Sequence, residues 1–131
     1  MKIRRAGALA AVLMAAANIG GAAAGGLNGT WVLVAIDGKR PDFSRNQFVP
    51  SFTISKGEIS GADGCTRFSG PVNAENPKSI MWAETPCAQG TVMLPLDFQD
   101  LPAHLRTATV DGNSLRLAAH GGRPASTYER Q

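Results

Sequence analysis

The chain has 131 residues, enough for one domain with one core and too few for two. Apolar residues make up 44% of it and charged residues 18%, as in a small soluble globular domain. Its formal charge of +3 owes much to Lys2, Arg4 and Arg5 in the front segment, and the remainder carries ten basic against ten acidic residues. With Lys39-Arg40 as its densest basic pair, such a chain has no nucleic-acid footprint.

Residues 1–24 have the layout of a cleavable secretory signal: a basic start, an apolar run from Ala6 to Ile19, then small residues. The run is shorter than the ~20 apolar residues of a membrane span, which disfavours the rival reading of a retained anchor. Cleavage after Ala24 fits an Ala-x-Ala site and leaves residues 25–131 as one domain with no membrane span. Cys65 is the first cysteine, so no lipid is attached near the cleavage region. The expected location is periplasmic or secreted, or peripheral to the outer membrane.

Thr30 to Ile36 is an apolar run ended by Asp37-Gly38, expected to be a strand buried on both faces or central in its sheet. Residues 37–51, with Pro41 and Pro50, are expected to be a long surface loop. Phe52 to Ser55 alternates and meets Glu58 to Ser60 across Lys56-Gly57, a hairpin signal. Next comes Gly61-Ala-Asp-Gly-Cys-Thr-Arg-Phe-Ser-Gly70. Its Asp63-Gly64 pair favours a sharp bend just before Cys65. Thr66, Phe68 and Val72 then have strand character until Gly70-Pro71 closes it. Asn73 to Pro77 reads as a polar turn and Ser79 to Trp82 as a short strand. Leu94, Phe98, Leu101 and Leu105 keep helical spacing, with Pro95 in the first turn and Pro102 as a break near the end. A hairpin turn at Asp111-Gly112 lies within Val110 to Ala118, and residues 126–129 are the last strand.

Cys65 and Cys87 in an exported chain read as a disulfide worth about 3 kcal/mol for a loop of this size. A reactive thiol and a metal pair are the other readings. With only His104 and His120 elsewhere, the ligand clustering of a zinc site is missing.

Gly29-Thr30-Trp31 and the glycine run together resemble the META domain family, also called HslJ-like. These are small bacterial envelope proteins with an opening Gly-Thr-Trp strand and a loop carrying Gly-Cys-Asn-Arg-Phe. Thr66 stands where that loop usually has Asn. The resemblance continues at Thr85-Pro86-Cys87, at Asp111 to Leu117 and at Tyr128-Glu129-Arg130, and covers about residues 27 to 130. It implies an association with envelope stress, including heat induction and tolerance of the antibiotic novobiocin, without an established catalytic activity. The helix of family members is usually longer and unbroken.

The residues themselves name no chemistry. The Gly-x-Ser-x-Gly of a nucleophile elbow is absent, and Ser60 and Ser69 read as turn and strand residues. A cysteine nucleophile would need a reduced, activated thiol, which an export signal argues against. His104, at the edge of the helix stripe, reads as packed or surface. Glu58, Asp63, Glu84, Asp97 and Asp100 are enough for a carboxylate pair, but read as solvated surface and helix ends. Asp63 and Arg67 are expected to form an ion pair bracing the loop, or to present a polar edge to a ligand. Trp31, Phe68 and Trp82 read as core.

These readings converge on an α+β fold: a curved antiparallel β-sheet packed against one helix, a single small META-like domain in which Cys65 and Cys87 tie the glycine loop to the segment before the helix. The expected protein is monomeric and non-enzymatic, with no catalytic residue, cofactor or metal. Its partner is an envelope protein or a small ligand. The candidate binding loop comprises Gly61, Asp63, Gly64, Thr66, Arg67, Phe68 and Gly70, together with residues 84–90. The alternative is a secreted inhibitor of a hydrolase acting through a protruding loop, or a carrier of a small apolar ligand in a cavity lined by Trp31, Phe52 and Phe98.

Overall fold

The structure is a computed structural model that describes residues 26–72, 80–83 and 86–131. The expected signal, the Asn73 to Pro77 turn, Ser79, Glu84 and Thr85 lie outside the described residues.

The first strand, β1 (Gly29–Ile36), is central, as its apolar run implies. From it the chain walks outward through β2 (Ser51–Ser55), β3 (Glu58–Ala62), β4 (Arg67–Pro71) and the short β5 (Met81–Trp82). It then crosses to the other edge and walks back through β6 (Thr109–Asp111), β7 (Ser114–Leu117) and β8 (Ser126–Arg130), which pairs with β1. The result is one open eight-stranded sheet in the order β5-β4-β3-β2-β1-β8-β7-β6, antiparallel throughout.

Local chemistry explains the turns. Lys56 and Gly57 both have positive φ, 54° and 78°, as a two-residue hairpin in a right-twisted ladder requires. The turn between β6 and β7 falls one residue later than expected, at Gly112-Asn113, because Asp111 still pairs with Ser114 and Gly112 takes the positive φ.

The helix departs most from the expectation. Leu94 donates its N–H to the Asp63 carbonyl at 2.7 Å, and residues 91–97 have no helical structure. A 3-10 turn at Phe98–Asp100 leads into a five-residue helix, α1 (Leu101–Leu105). Pro102 therefore sits in the first turn, where its missing N–H is one the helix would leave unpaired anyway, and it starts the helix instead of breaking it. Pro95 lies outside the helix altogether.

Trp31 and Leu33 of β1, Phe52 of β2, Ile59 of β3, Leu115 of β7 and Tyr128 of β8 share one buried cluster with Leu94, Leu96, Leu101 and Leu105. The crossing segment thus shares its core with the strands on both sides of β1. Tyr128 is sealed inside, with its hydroxyl 2.8 Å from Ser126 Oγ and its ring edge-on to Phe52. Trp31 and Phe68 are core as expected. Trp82 is not: it is 43% exposed because β5 is an edge strand of two residues.

The two ends of the domain lock together. Arg130 stacks its guanidinium over the Trp31 ring at 4.2 Å and donates to the carbonyls of Asn28 and Gly26. Gly29 has φ 131°, and a Cβ there would meet Arg130 Nη1 at 2.9 Å. The opening Gly-Thr-Trp and the closing Tyr-Glu-Arg are halves of one clasp, in which the cation–π contact contributes about 1 kcal/mol.

Candidate functional site

The glycine loop is built around Asp63. Its Oδ1 accepts from the N–H of Thr66 at 3.0 Å, the hydroxyl of Thr66 at 2.9 Å and the N–H of Cys65 at 3.3 Å. Thr66, standing where the family loop usually has Asn, thereby closes the turn through its own side chain. The expected ion pair with Arg67 does not form: Asp63 is buried among these donors, while exposed Arg67 lies over the Phe48 ring at 4.7 Å.

The loop is also an anchor for other segments. Phe48 donates to the Gly64 carbonyl and Leu94 to that of Asp63. Gly64 has φ 137°, and a Cβ there would come within 2.5 Å of the Val92 carbonyl. Gly61 is a strand residue in β3 instead of part of the bend, and it must be glycine because a Cβ would collide with the Ser51 carbonyl and Phe52 Cα on β2. Cys65 is bonded to Cys87, with the Cα atoms 5.5 Å apart.

Ala62 through Thr66 are all buried, so the turn does not protrude. Phe68 is buried in β4, Gly70 is half-buried opposite Ile59, and Arg67 alone among the candidate residues of the Gly61 to Gly70 run is exposed, whereas residues 86–90 are exposed throughout. The candidate residues therefore divide into a packed turn and a strand leading away from it.

Beside this loop lies a groove of about 730 Å³, bordered by Asp63, Trp82, Met93, Leu94, Phe98 and Arg123. Phe68, Trp82 and Phe98 form a triangle with centroids 4.8 to 5.3 Å apart. Trp82 and Met93 are the large apolar side chains exposed along the groove, and the Cys87 sulfur lies 3.9 Å from that of Met93. Met93 and Arg123 escaped the sequence reading, whereas Phe98 was expected to line a ligand cavity with Trp31 and Phe52.

Three of the candidate acids, Asp63, Asp97 and Asp100, border this groove, and each is already engaged: Asp97 caps the 3-10 turn through the Gln99 N–H, Asp100 lies 3.0 Å from His120 Nε2, and Asp63 is buried among its donors where a solvated surface acid was expected. Glu58 is exposed at its hairpin. His104 is fully buried on α1, and its ring stacks on His120 at 5.5 Å. Neither ring nitrogen has a hydrogen-bond partner. Burial, and then the His120 charge, push its pKa below the ordinary value of 6.5. The Pro95 carbonyl and Asp97 ease that shift, although the carbonyl makes no hydrogen bond of normal geometry.

Among the described residues, Asp63, Cys65 and Cys87 are the set with metal-ligand spacing, but both sulfurs are in the disulfide. No helix among the described residues is long and apolar enough to cross a membrane.

No curated protein matches this chain in sequence. One solved structure, determined by NMR, is similar in fold: the TM-score is 0.52 at 22% identity, covering 79% of this chain and 90% of that one. The META domain family matches residues 25–131, which include the Gly29 clasp, the glycine loop, the disulfide and all eight strands. The chain belongs to the META domain family.

Proposed function

We propose that this is an exported, monomeric, non-enzymatic META-domain protein that supports envelope stress tolerance by binding an envelope protein or a small ligand. The observation that carries the binding reading is the pair Trp82 and Met93, 43% and 40% exposed, both lining the groove. Large apolar side chains gathered on a surface mark contact sites, and thioethers adapt to varied partners. The disulfide fits an oxidising compartment outside the cytoplasm. The link to envelope stress rests on the family resemblance. In this reading the sheet curves around α1, and the groove opens at its β5 end beside the loop from Gly61 to Gly70 and residues 86–90.

The burial of Ala62 to Thr66 favours the groove over a protruding inhibitory loop. Trp31 and Phe52 are fully packed, so small-ligand carriage would also use the groove, whose volume suits a small molecule. Hydrolysis finds Asp97 and Asp100 already engaged with Gln99 and His120.

The test uses the oxidised protein in two assays: crosslinking in envelope extracts and titration with the apolar dye anilinonaphthalene sulfonate. Native protein should capture a partner or bind dye saturably, and Trp82→Ser with Met93→Ser should abolish it at unchanged Tm. Equal capture and dye binding by the variant would overturn the groove as the working surface.

A further inference from the structure

A second cleft, of about 450 Å³, shares no lining residue with the aromatic groove. Ile36, Pro41 and Val92 supply its apolar walls, and Lys39, Arg40 and Arg45 surround it. Among the described residues none of these three cations has an ion-pair partner. Asp42, the acid in the lining, instead accepts the Ser44 N–H at 2.9 Å.

The cleft is held in shape. Asp37 and Gly38 form a tight turn with positive φ, closed by reciprocal hydrogen bonds between Ile36 and Lys39 at 2.9 and 3.0 Å. Asn46 clasps the opposite wall: its Nδ2 donates to the Val92 carbonyl at 2.8 Å, and its Oδ1 accepts the Val92 N–H at 2.9 Å. Gly90, at φ 86°, lets the Arg45 stem lie against its Cα, where a Cβ would come within 2.7 Å of Arg45 Cδ. Arg45 is thereby laid along the cleft by the backbone opposite.

We propose that this cleft binds the phosphate group of a small ligand, with Lys39, Arg40 and Arg45 as its counter-charges. Guanidinium forks match phosphate oxygens in bidentate geometry, and the volume suits a small molecule and not a macromolecular surface. The apolar walls admit a hydrocarbon body, so the phosphate belongs to an anionic lipid headgroup or is free phosphate.

Amide NMR of the full chain distinguishes these sources, with monomeric dihexanoylphosphatidylglycerol, dihexanoylphosphatidylcholine and inorganic phosphate as probes. The phosphatidylglycerol or the inorganic phosphate should saturably shift the amides of Lys39, Arg40, Arg45 and Val92. Arg40→Gln with Arg45→Gln should weaken binding at least tenfold at unchanged Tm. Tighter binding of phosphatidylglycerol than of inorganic phosphate assigns the site to lipid headgroups, and equal affinities assign it to free phosphate. Phosphatidylcholine binding as well as phosphatidylglycerol, native affinity in the double variant, or no saturable shift with either anion would overturn the proposal.

Discussion

Two buried polar side chains, Asp63 in the glycine loop and His104 on α1, sit in opposite circumstances. Asp63 accepts three hydrogen bonds and is stapled beside a disulfide, whereas His104 has no partner at either ring nitrogen. A buried polar group with its partners fixes a local structure, and one without them is a weak point. The loop should therefore tolerate almost no substitution, while the His104 corner should tolerate or welcome an apolar one.

The disulfide is the largest test of the loop. Reduction, or Cys65→Ser with Cys87→Ser, should cost about 3 kcal/mol and lower Tm by more than 10 °C in a domain of this size. Unchanged melting in dithiothreitol would remove the bond from the account. Asp63→Ala comes next: leaving the donors of Cys65 and Thr66 unmet should cost about 2 kcal/mol, measured by urea denaturation. Asp63→Asn, which keeps one acceptor, should lose less. Equal losses would mean that charge, and not the accepting oxygen, organises the turn.

The opposite pole is tested by pH. The folded-state pKa of His104 lies below its unfolded value of about 6.5, so the unfolded chain takes up the proton first as pH falls. Its contribution to stability is complete above pH 6.5 and declines below it, until the folded-state pKa is passed. Asp97, Asp100, His120 and Arg123 surround this corner, so the slope is assigned by substitution. His104→Leu should keep Tm at pH 7.5 and flatten the curve below pH 6.5. An equally steep decline in that variant would place the acid-sensitive group elsewhere.

How much of this was legible depended on the range of the cause. The Lys56-Gly57 hairpin and the Asp63-Gly64 bend follow from a few adjacent residues and stand where expected. Leu94 and Phe98 keep helical spacing yet lie outside α1, because Leu94 is drawn to the Asp63 carbonyl, a contact between distant segments. Trp82 looked like core by residue type, but edge position is a property of the sheet. The need for glycine at position 61 comes from the register of β3 on β2. Asn46 reaches 46 positions along the chain to Val92, and nothing in residues 37–51 marks it. In the candidate loop the bend at Asp63-Gly64 and the disulfide were legible, whereas the burial of the turn and its bracing by Asp63 through Cys65 and Thr66, in place of Arg67, were not.

Arg67 gives the smallest effect and the sharpest division between structural and working residues. It belongs to the same sequence run as Asp63, yet it is exposed and touches the loop's surroundings through Phe48 at 4.7 Å. An exposed cation–π contact is worth about 0.5 to 1 kcal/mol, so Arg67→Ala should lower Tm by only a few degrees. A loss comparable to that of Asp63→Ala would make Arg67 a brace of the turn after all. A small loss together with weakened partner capture in envelope extracts would extend the working surface from the groove onto β4. The run from Gly61 to Gly70 would then divide by burial, its inward residues making the turn and its one outward cation meeting the partner.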